Sequence, residues 1–164
     1  MSYYINENVH TIFIMLGFSC NFKCKYCMQH EFKTINSVTY NKDILKFIEK
    51  YADIRKSKDE DLSIVFFGGE PLMNFQVVKD LVAYARSIEK EKNKNFRFTL
   101  TTNGVLIDDD VIDFANRECS NVVLSLDGRK EIHDRFRVDY AGKGSWETIV
   151  PKFQKLVEAR GGKD

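Results

Sequence analysis

Residues 11–27 read TIFIMLGFSCNFKCKYC, and this segment sets the architecture expected for the rest of the chain. Its first six residues, Thr11–Leu16, are mostly β-branched, aromatic or otherwise apolar, which is typical of a buried β-strand. Gly17 ends the run. Three thiols then follow within eight residues: Cys20, Cys24 and Cys27. The segment therefore predicts a strand whose carboxyl end leads into a loop rich in cysteine.

The same pattern, a short apolar run that ends in small or turn-forming residues, occurs three more times. The runs are Leu62–Phe67, Phe96–Thr101 and Val122–Leu126, and they end at Gly68-Gly69, Asn103-Gly104 and Asp127-Gly128. Each run has the length and composition of a strand in a parallel sheet. We therefore predict four strands.

Apolar residues at helical spacing lie between and after these runs. The predicted helices are Asn41–Tyr51, Phe75–Ile88, Asp109–Ala115 and Trp146–Ala159, the last with Ser145 as its expected N-cap. Strands that alternate with helices predict an α/β fold, with a parallel sheet and helices packed outside it. In such folds ligands bind at the carboxyl ends of the strands, so the loops after the four runs predict one shared site.

Composition narrows the class of protein. The 164 residues are 43% hydrophobic and 13% aromatic, which is typical of one globular domain and argues against disorder. The net charge of +1 argues against a nucleic-acid partner and against a polybasic membrane anchor. No apolar run reaches the roughly 18 residues of a membrane span, and no basic segment precedes the first one. We expect no membrane partner and a cytoplasmic location.

The spacing C-x3-C-x2-C leaves more than one chemistry open. A disulfide framework would spread its cysteines along the chain, so crowded thiols favour a metal, a cluster or a redox site. Three thiolates can hold three irons of a cubane cluster and leave the fourth iron open. Alternatively, His30 completes a tetrahedral zinc site in an interaction module. Cys119 is expected to be a small buried hydrophobe, with a role as fourth ligand left open.

Further motifs accompany the cysteines. They are GGEP at residues 68–71, TTNG at 101–104, SLDG at 125–128, HDRFR at 133–137 and GKGSW at 142–146. Together with the cysteine spacing they resemble the radical S-adenosylmethionine (SAM) superfamily. The resemblance is to the peptide- and protein-modifying branch with C-terminal auxiliary-cluster (SPASM-type) domains, which includes anaerobic sulfatase maturases and thioether-forming maturases of ribosomal peptides.

This resemblance implies roles for individual residues. Cys20, Cys24 and Cys27 would ligate a [4Fe–4S] cluster, and Tyr26 would lie against the adenine of SAM. The loop of Gly68, Gly69, Glu70 and Pro71 would accept the SAM amino group, with Glu70 as an acceptor or a brace. The remaining implied contacts to SAM are Thr102, Asn103, Ser125, Asp127 and Arg137. Ser125 and Asp127 are expected to share one face at the end of the fourth strand, and His133 and Asp134 to brace their loop.

The implied reaction is reductive cleavage of SAM to a 5′-deoxyadenosyl radical. That radical would abstract hydrogen from a peptide or protein side chain during maturation. A flavodoxin or ferredoxin would donate the electron. An RNA or a small metabolite remains an alternative substrate.

The chain departs from the family's pattern in its length. A full eight-unit barrel needs about 250 residues, and six βα units would need roughly 200. The sequence carries about four of an expected six. We therefore expect a partial TIM-like (β/α) barrel, with residues 1–164 forming its N-terminal portion, and with the later strands and any auxiliary-cluster domain absent.

Overall fold

The computed structural model describes residues 10–31, 42–54 and 60–162, in which four parallel strands form a single sheet. The strands are β1 (Thr11–Met15), β2 (Glu60–Phe67), β3 (Lys94–Thr102) and β4 (Cys119–Leu124), and they are adjacent in chain order. β1 pairs with β2 from Thr11↔Ser63 to Met15↔Phe67. The predicted α/β class and the four parallel strands are confirmed.

The four predicted helices are present, most of them longer than the periodicity indicated. They are α1 (Lys42–Ile54), α2 (Phe75–Lys92), α3 (Asp109–Glu118) and α5 (Trp146–Arg160). A further helix, α4 (Lys130–Phe136), was not predicted, because its seven residues carry only two apolar side chains, Ile132 and Phe136. Asn41, the predicted start of the first helix, lies outside the described residues. In the described ranges no helix has the length and apolarity that crossing a membrane requires.

One face of the sheet carries the hydrophobic core. Alternate side chains of each strand point to this face and meet the apolar sides of the helices. The fully buried strand residues include Leu62, Ile64, Phe66, Phe98 and Leu100. The rings of Phe66 and Phe98 stack with centroids 5.9 Å apart across β2 and β3. Burying each such side chain stabilises the fold by about 1.5–3 kcal/mol. Packing on this face therefore supplies most of the stabilisation of the sheet.

The opposite face of the sheet is partly open to solvent. Phe13 is 62% exposed, and Met15, Phe67 and Val123 are also exposed on this face. Parallel sheets are usually covered on both faces. The open face is the one that a closed barrel would turn toward its interior. The architecture is therefore that of one wall of a barrel, as expected from the four βα units.

Candidate active site

The loops after the four strands surround one cavity of ≈ 380 Å³. Every residue predicted to bind the cluster or SAM lines it except Asp127, which contacts two residues that do. Six further residues line it and were not predicted as contacts, although Thr101 begins the TTNG motif: Phe18, Phe22, Met28, Gln29, Phe67 and Thr101. The sequence therefore located the cavity, because the carboxyl ends of parallel strands share one edge.

Two glycines allow the second loop to lie directly on the first. Gly69 N donates to Gly17 O at 3.0 Å, and Glu70 N donates to Ser19 O at 2.9 Å. A Cβ on Gly69 would lie 2.1 Å from Ser19 O, and one on Gly68 would lie 2.5 Å from Gly17 O. Gly68 also has φ of +138°, a conformation that disfavours side chains. The GG pair is thus required for the contact between the two loops.

Glu70 is a brace within the protein. Its Oε1 accepts hydrogen bonds from Leu72 N at 3.0 Å and from Thr102 Oγ1 at 2.8 Å. Its Oε2 accepts from Asn103 N at 2.7 Å. The carboxyl group is buried, and burial raises its pKa although the three hydrogen bonds oppose that shift. Of the two roles expected for Glu70, the structure shows the bracing one, and it ties the loops after β2 and β3 together.

The cysteine loop is held at its backbone while its thiols remain accessible to the cavity. Cys27 N donates to Cys24 O at 3.1 Å, and Phe22, between the cysteines, is buried. Asn103 Nδ2 lies 3.8 Å from Cys20 Sγ, which links the loop after β3 to the first thiol. Burial raises the pKa of Cys20 to about 11, and burial also raises the pKa of Cys24, where the charge of Arg137 opposes it. Both thiols therefore hold their protons at neutral pH until a cation displaces them.

Tyr26, Asp127 and Arg137 form a polar group at the edge of the cavity. Tyr26 Oη donates to Asp127 Oδ2 at 2.6 Å, and Arg137 Nε lies 3.0 Å from the same oxygen in an ion pair. The guanidinium carbon of Arg137 lies 5.4 Å from the centre of the Tyr26 ring. Burial raises the pKa of Asp127, but the hydrogen bonds from Tyr26 and Arg137 outweigh it and hold the pKa below its usual value. The acid is therefore ionised and fixes both neighbours.

Ser125 and Asp127 do not lie on a strand, which corrects one expectation. β4 ends at Leu124, and Leu126 N turns back to donate to Leu124 O at 3.0 Å. Their side chains are therefore not placed by strand alternation. Ser125 N still donates to Thr102 O at 3.0 Å and lines the cavity, whereas Asp127 lies beside it.

A family model described as the Radical SAM superfamily matches residues 14–162. The chain belongs to the radical SAM superfamily. This family uses a [4Fe–4S] cluster and SAM, so the resemblance inferred from the motifs and the two expected cofactors are confirmed.

Two relatives show how widely the family's substrates vary. A cysteine-type anaerobic sulfatase-maturating enzyme of Clostridium novyi (strain NT) is 30% identical over 145 residues, which cover 84% of this chain and 37% of that enzyme. A GTP 3′,8-cyclase of Clostridium perfringens (strain SM101 / Type A) is 30% identical over 151 residues, which cover 88% of this chain and 42% of the cyclase. The chain spans less than half the length of these relatives.

A solved structure shows the same fold. It is described as native anSMEcpe with bound AdoMet and Kp18Cys peptide, and it superposes with a TM-score of 0.79 at 27% identity. The match covers 92% of this chain and 41% of that chain. The partial TIM-like barrel predicted from the sequence is confirmed.

The residues of this radical SAM chain fit the family's cofactors. Each thiolate of a cubane ligates a different iron, so its three cysteines need not converge on one point. Among the described residues, no three cysteine, histidine or acidic side chains converge as a single metal ion would require. Arg137 lines the cavity with a guanidinium whose Nε pairs with Asp127, and a cation held in this way suits an anionic ligand such as the carboxylate of SAM.

The zinc alternative is not favoured by this geometry. Its fourth ligand would be His30, whose side chain lies outside the described residues. The three thiols alone do not converge on one ion. Cys119, the fourth cysteine, is buried at the start of β4, where the sequence placed it as a small hydrophobe.

The HDRFR and GKGSW motifs form a bracing unit around the radical SAM site. His133 Nδ1 accepts from Asp127 N at 3.3 Å, and its Nε2 lies 2.8 Å from Ser145 Oγ. Ser145 precedes α5, but its hydroxyl donates to Arg137 O at 3.2 Å and does not cap the helix. Ser145 therefore occupies the expected N-cap position without capping through its side chain, and Asp134 accepts from Trp146 N at 2.9 Å. The bracing role expected for His133 and Asp134 is what the structure shows.

Proposed function

We propose that this chain is the cluster- and SAM-binding part of a radical SAM enzyme that modifies a peptide or protein side chain. The observation that carries the proposal is the convergence of the three thiols and the GGEP loop on one cavity. A sulfatase maturase among the relatives, and a structural neighbour solved with a peptide, support the peptide class over a nucleotide.

In this proposal Cys20, Cys24 and Cys27 hold the cluster and leave one iron free for SAM. When bound, the cluster and SAM supply the radical chemistry, in which one electron cleaves SAM and a hydrogen is abstracted from a substrate carbon. The chain's own residues place and shield the reactants. Backbone carbonyls at Gly68 and Gly69 accept the SAM amino group, because no Cβ keeps a ligand away.

The remaining residues orient SAM within the cavity. Arg137 contacts the carboxylate of SAM, and the ion pair with Asp127 holds its guanidinium in place. Tyr26 is 54% exposed beside the cavity, so its ring is free to lie against the adenine. Thr102 and Asn103 act through Glu70, which fixes their loop, and Ser125 adds a hydroxyl to the lining of the cavity.

The proposal is tested by anaerobic reconstitution with iron and sulfide, followed by EPR of the reduced protein with and without SAM. We expect a cluster signal that shifts when SAM is added. Alanine at Cys20, Cys24 or Cys27 should abolish iron uptake, while Cys119→Ala, the matched control, should retain it. Zinc uptake that His30→Ala abolishes, with no iron–sulfur cluster, would overturn the proposal.

The substrate class has its own test. The Kp18Cys peptide and GTP are offered separately to the reconstituted protein, and formation of 5′-deoxyadenosine is compared with a sample that has neither. Stimulation by the peptide supports the proposed class. Stimulation by GTP alone would move the enzyme to the small-molecule branch.

A further inference from the structure

A second concavity lies on the outer surface of the cysteine loop. It is lined by Lys23, Cys24, Lys25 and residues 138–142. Cys24 is the residue that this concavity shares with the SAM cavity. We call these lining residues the lysine face. Cys24, a proposed cluster ligand, therefore borders both concavities, and SAM needs only one of them.

The backbone fixes where the two lysines point. Residues 22–25 are alternately buried and exposed, as in a strand, with Phe22 and Cys24 buried and Lys23 and Lys25 exposed. This segment pairs with the chain after α4, because Lys23 N donates to Val138 O at 2.7 Å and Lys25 N donates to Phe136 O at 2.9 Å. The lysines therefore stand on the same side of the loop.

The lysine face has an excess of positive charge. Lys23 and Lys25 are exposed and take part in no ion pair within the described ranges. Lys143, whose carbonyl oxygen accepts from Asp139 N, is also exposed. Asp139 is the acid in the lining, and its carboxylate accepts hydrogen bonds from the backbone of Ala141 and Lys143. The whole chain carries a net charge of only +1, so this excess is local.

We propose that the lysine face docks an acidic one-electron carrier protein, which delivers the electron to the cluster past Cys24. The inference rests on the proposed function, since it needs a cluster on these thiols. The carrier loses one electron and the oxidised cluster gains it, so no bond or proton is exchanged. Charge complementarity steers such an encounter. Tyr140, 67% exposed at the rim, offers the apolar contact that a short-lived complex also needs.

The experiment uses flavodoxin, a small acidic flavin protein, as the carrier and follows reduction of the reconstituted cluster by stopped-flow absorbance. For Lys23→Glu combined with Lys25→Glu, we expect the second-order rate constant to fall about 10-fold or more at low salt. The rate for the unchanged protein should fall steeply with salt. Lys23→Gln with Lys25→Gln should fall less, because it removes charge without reversing it.

Controls separate docking from damage to the cluster. Lys46→Glu with Lys90→Glu makes the same change in net charge on α1 and α2, and should reduce the rate far less. Dithionite, a small reductant that needs no docking surface, should reduce the cluster of every variant completely, which shows that each cluster is intact. Binding of oxidised flavodoxin, measured by calorimetry, should weaken in the same order as the rates.

The outcomes distinguish the two proposals. If a SAM-responsive cluster forms and flavodoxin reduces the Lys23/Lys25 variants as fast as the Lys46/Lys90 control, the lysine face is not the docking surface, and the proposed function stands. If no cluster forms in the unchanged protein, the proposed function fails and this inference fails with it.

Discussion

The Glu70 loop and the cysteine loop lie at the same edge of the sheet but are built in opposite ways. Glu70 is buried, and both of its oxygens accept hydrogen bonds from the protein, three in all. The cysteine loop is held through its backbone and by Asn103 Nδ2, which donates to Asn21 Oδ1 at 2.7 Å, while the thiols of Cys20 and Cys24 retain protons that a metal must displace. The first loop is complete without a ligand, whereas the second is not.

This difference separates residues that form the structural frame of the site from residues that bind its ligands. A group whose hydrogen bonds are all satisfied internally affects the ligand by fixing geometry, so its loss should first appear as lost stability. A group that faces the cavity with unsatisfied bonding capacity should affect ligand binding with little change in stability. Substitutions in the two loops can therefore be distinguished by whether they lower the free energy of unfolding or the affinity for the ligand.

The largest effect is expected from Gly69→Ala. The added Cβ would lie 2.1 Å from Ser19 O and 2.6 Å from Ser19 C, both backbone atoms, so one loop must move. We expect a loss of about 3 kcal/mol or more in the free energy of unfolding, measured in urea. Gly128→Ala is the matched control, because nothing lies within 4 Å of its Cβ and only the strain of its positive φ remains, about 1 kcal/mol. Equal losses would show that the two loops are not in obligatory contact.

The next effect is that of Glu70→Ala, which leaves Leu72 N, Asn103 N and Thr102 Oγ1 without their acceptor. We expect a loss of about 2–3 kcal/mol in the free energy of unfolding. Glu91→Ala, at an exposed acid on α2, should change it by less than about 0.5 kcal/mol. A stable Glu70→Ala protein with weakened SAM binding would instead make Glu70 a direct ligand and remove the contrast between the loops.

Arg137→Gln should produce the reverse pattern. The residue contacts the cavity and pairs with Asp127 at its edge. We expect SAM affinity to fall about 10-fold, equivalent to about 1.4 kcal/mol, with a smaller change in unfolding free energy. Equilibrium dialysis with labelled SAM measures the first, and urea unfolding of the same sample measures the second. If the free energy of unfolding falls by more than the free energy of SAM binding, Arg137 is a structural residue like Glu70.

The smallest effect concerns His133, which connects the loop after β4 to the segment before α5. Burial and the charge of Arg137 hold its pKa below the ordinary value of 6.5. The unfolded chain therefore takes up a proton at higher pH than the folded one, so stability falls as pH is lowered through 6.5 toward the folded pKa. His133→Gln should give a flatter profile of unfolding free energy between pH 5 and pH 7. Identical slopes would mean that His133 titrates alike in both states.

The strands, which depend on local periodicity, could be predicted from the sequence. The apolar runs that begin at Thr11 and Leu62 became strands, and the motif after each run lies at the cavity because parallel strands present their carboxyl ends together. The starts of some strands were predicted too late. β4 begins at Cys119, three residues earlier than predicted, in a segment whose pairing with β3 has an irregular register.

The contacts that the sequence could not supply are long-range. Pairing of Lys23 with Val138 joins segments more than a hundred residues apart, and both segments are too short to be recognised as strands from the sequence. Asp134 accepts from Trp146 N at the start of α5 because α4 carries it there, and α4 itself is a short polar helix. The sequence identified these motifs as a group, but their hydrogen-bond partners depend on how the chain returns to the sheet.

The open face of the sheet has a practical consequence for dye assays. Phe13, Met15, Phe67 and Val123 offer apolar surface in the fully folded protein. Fluorescent dyes such as ANS bind surface of this kind, and their signal is ordinarily attributed to loosely packed states. Here the native chain itself should make the dye fluoresce, and cooperative unfolding should extinguish the signal. Near-ultraviolet circular dichroism, which reports fixed aromatic packing, is the better monitor of whether this fold is intact.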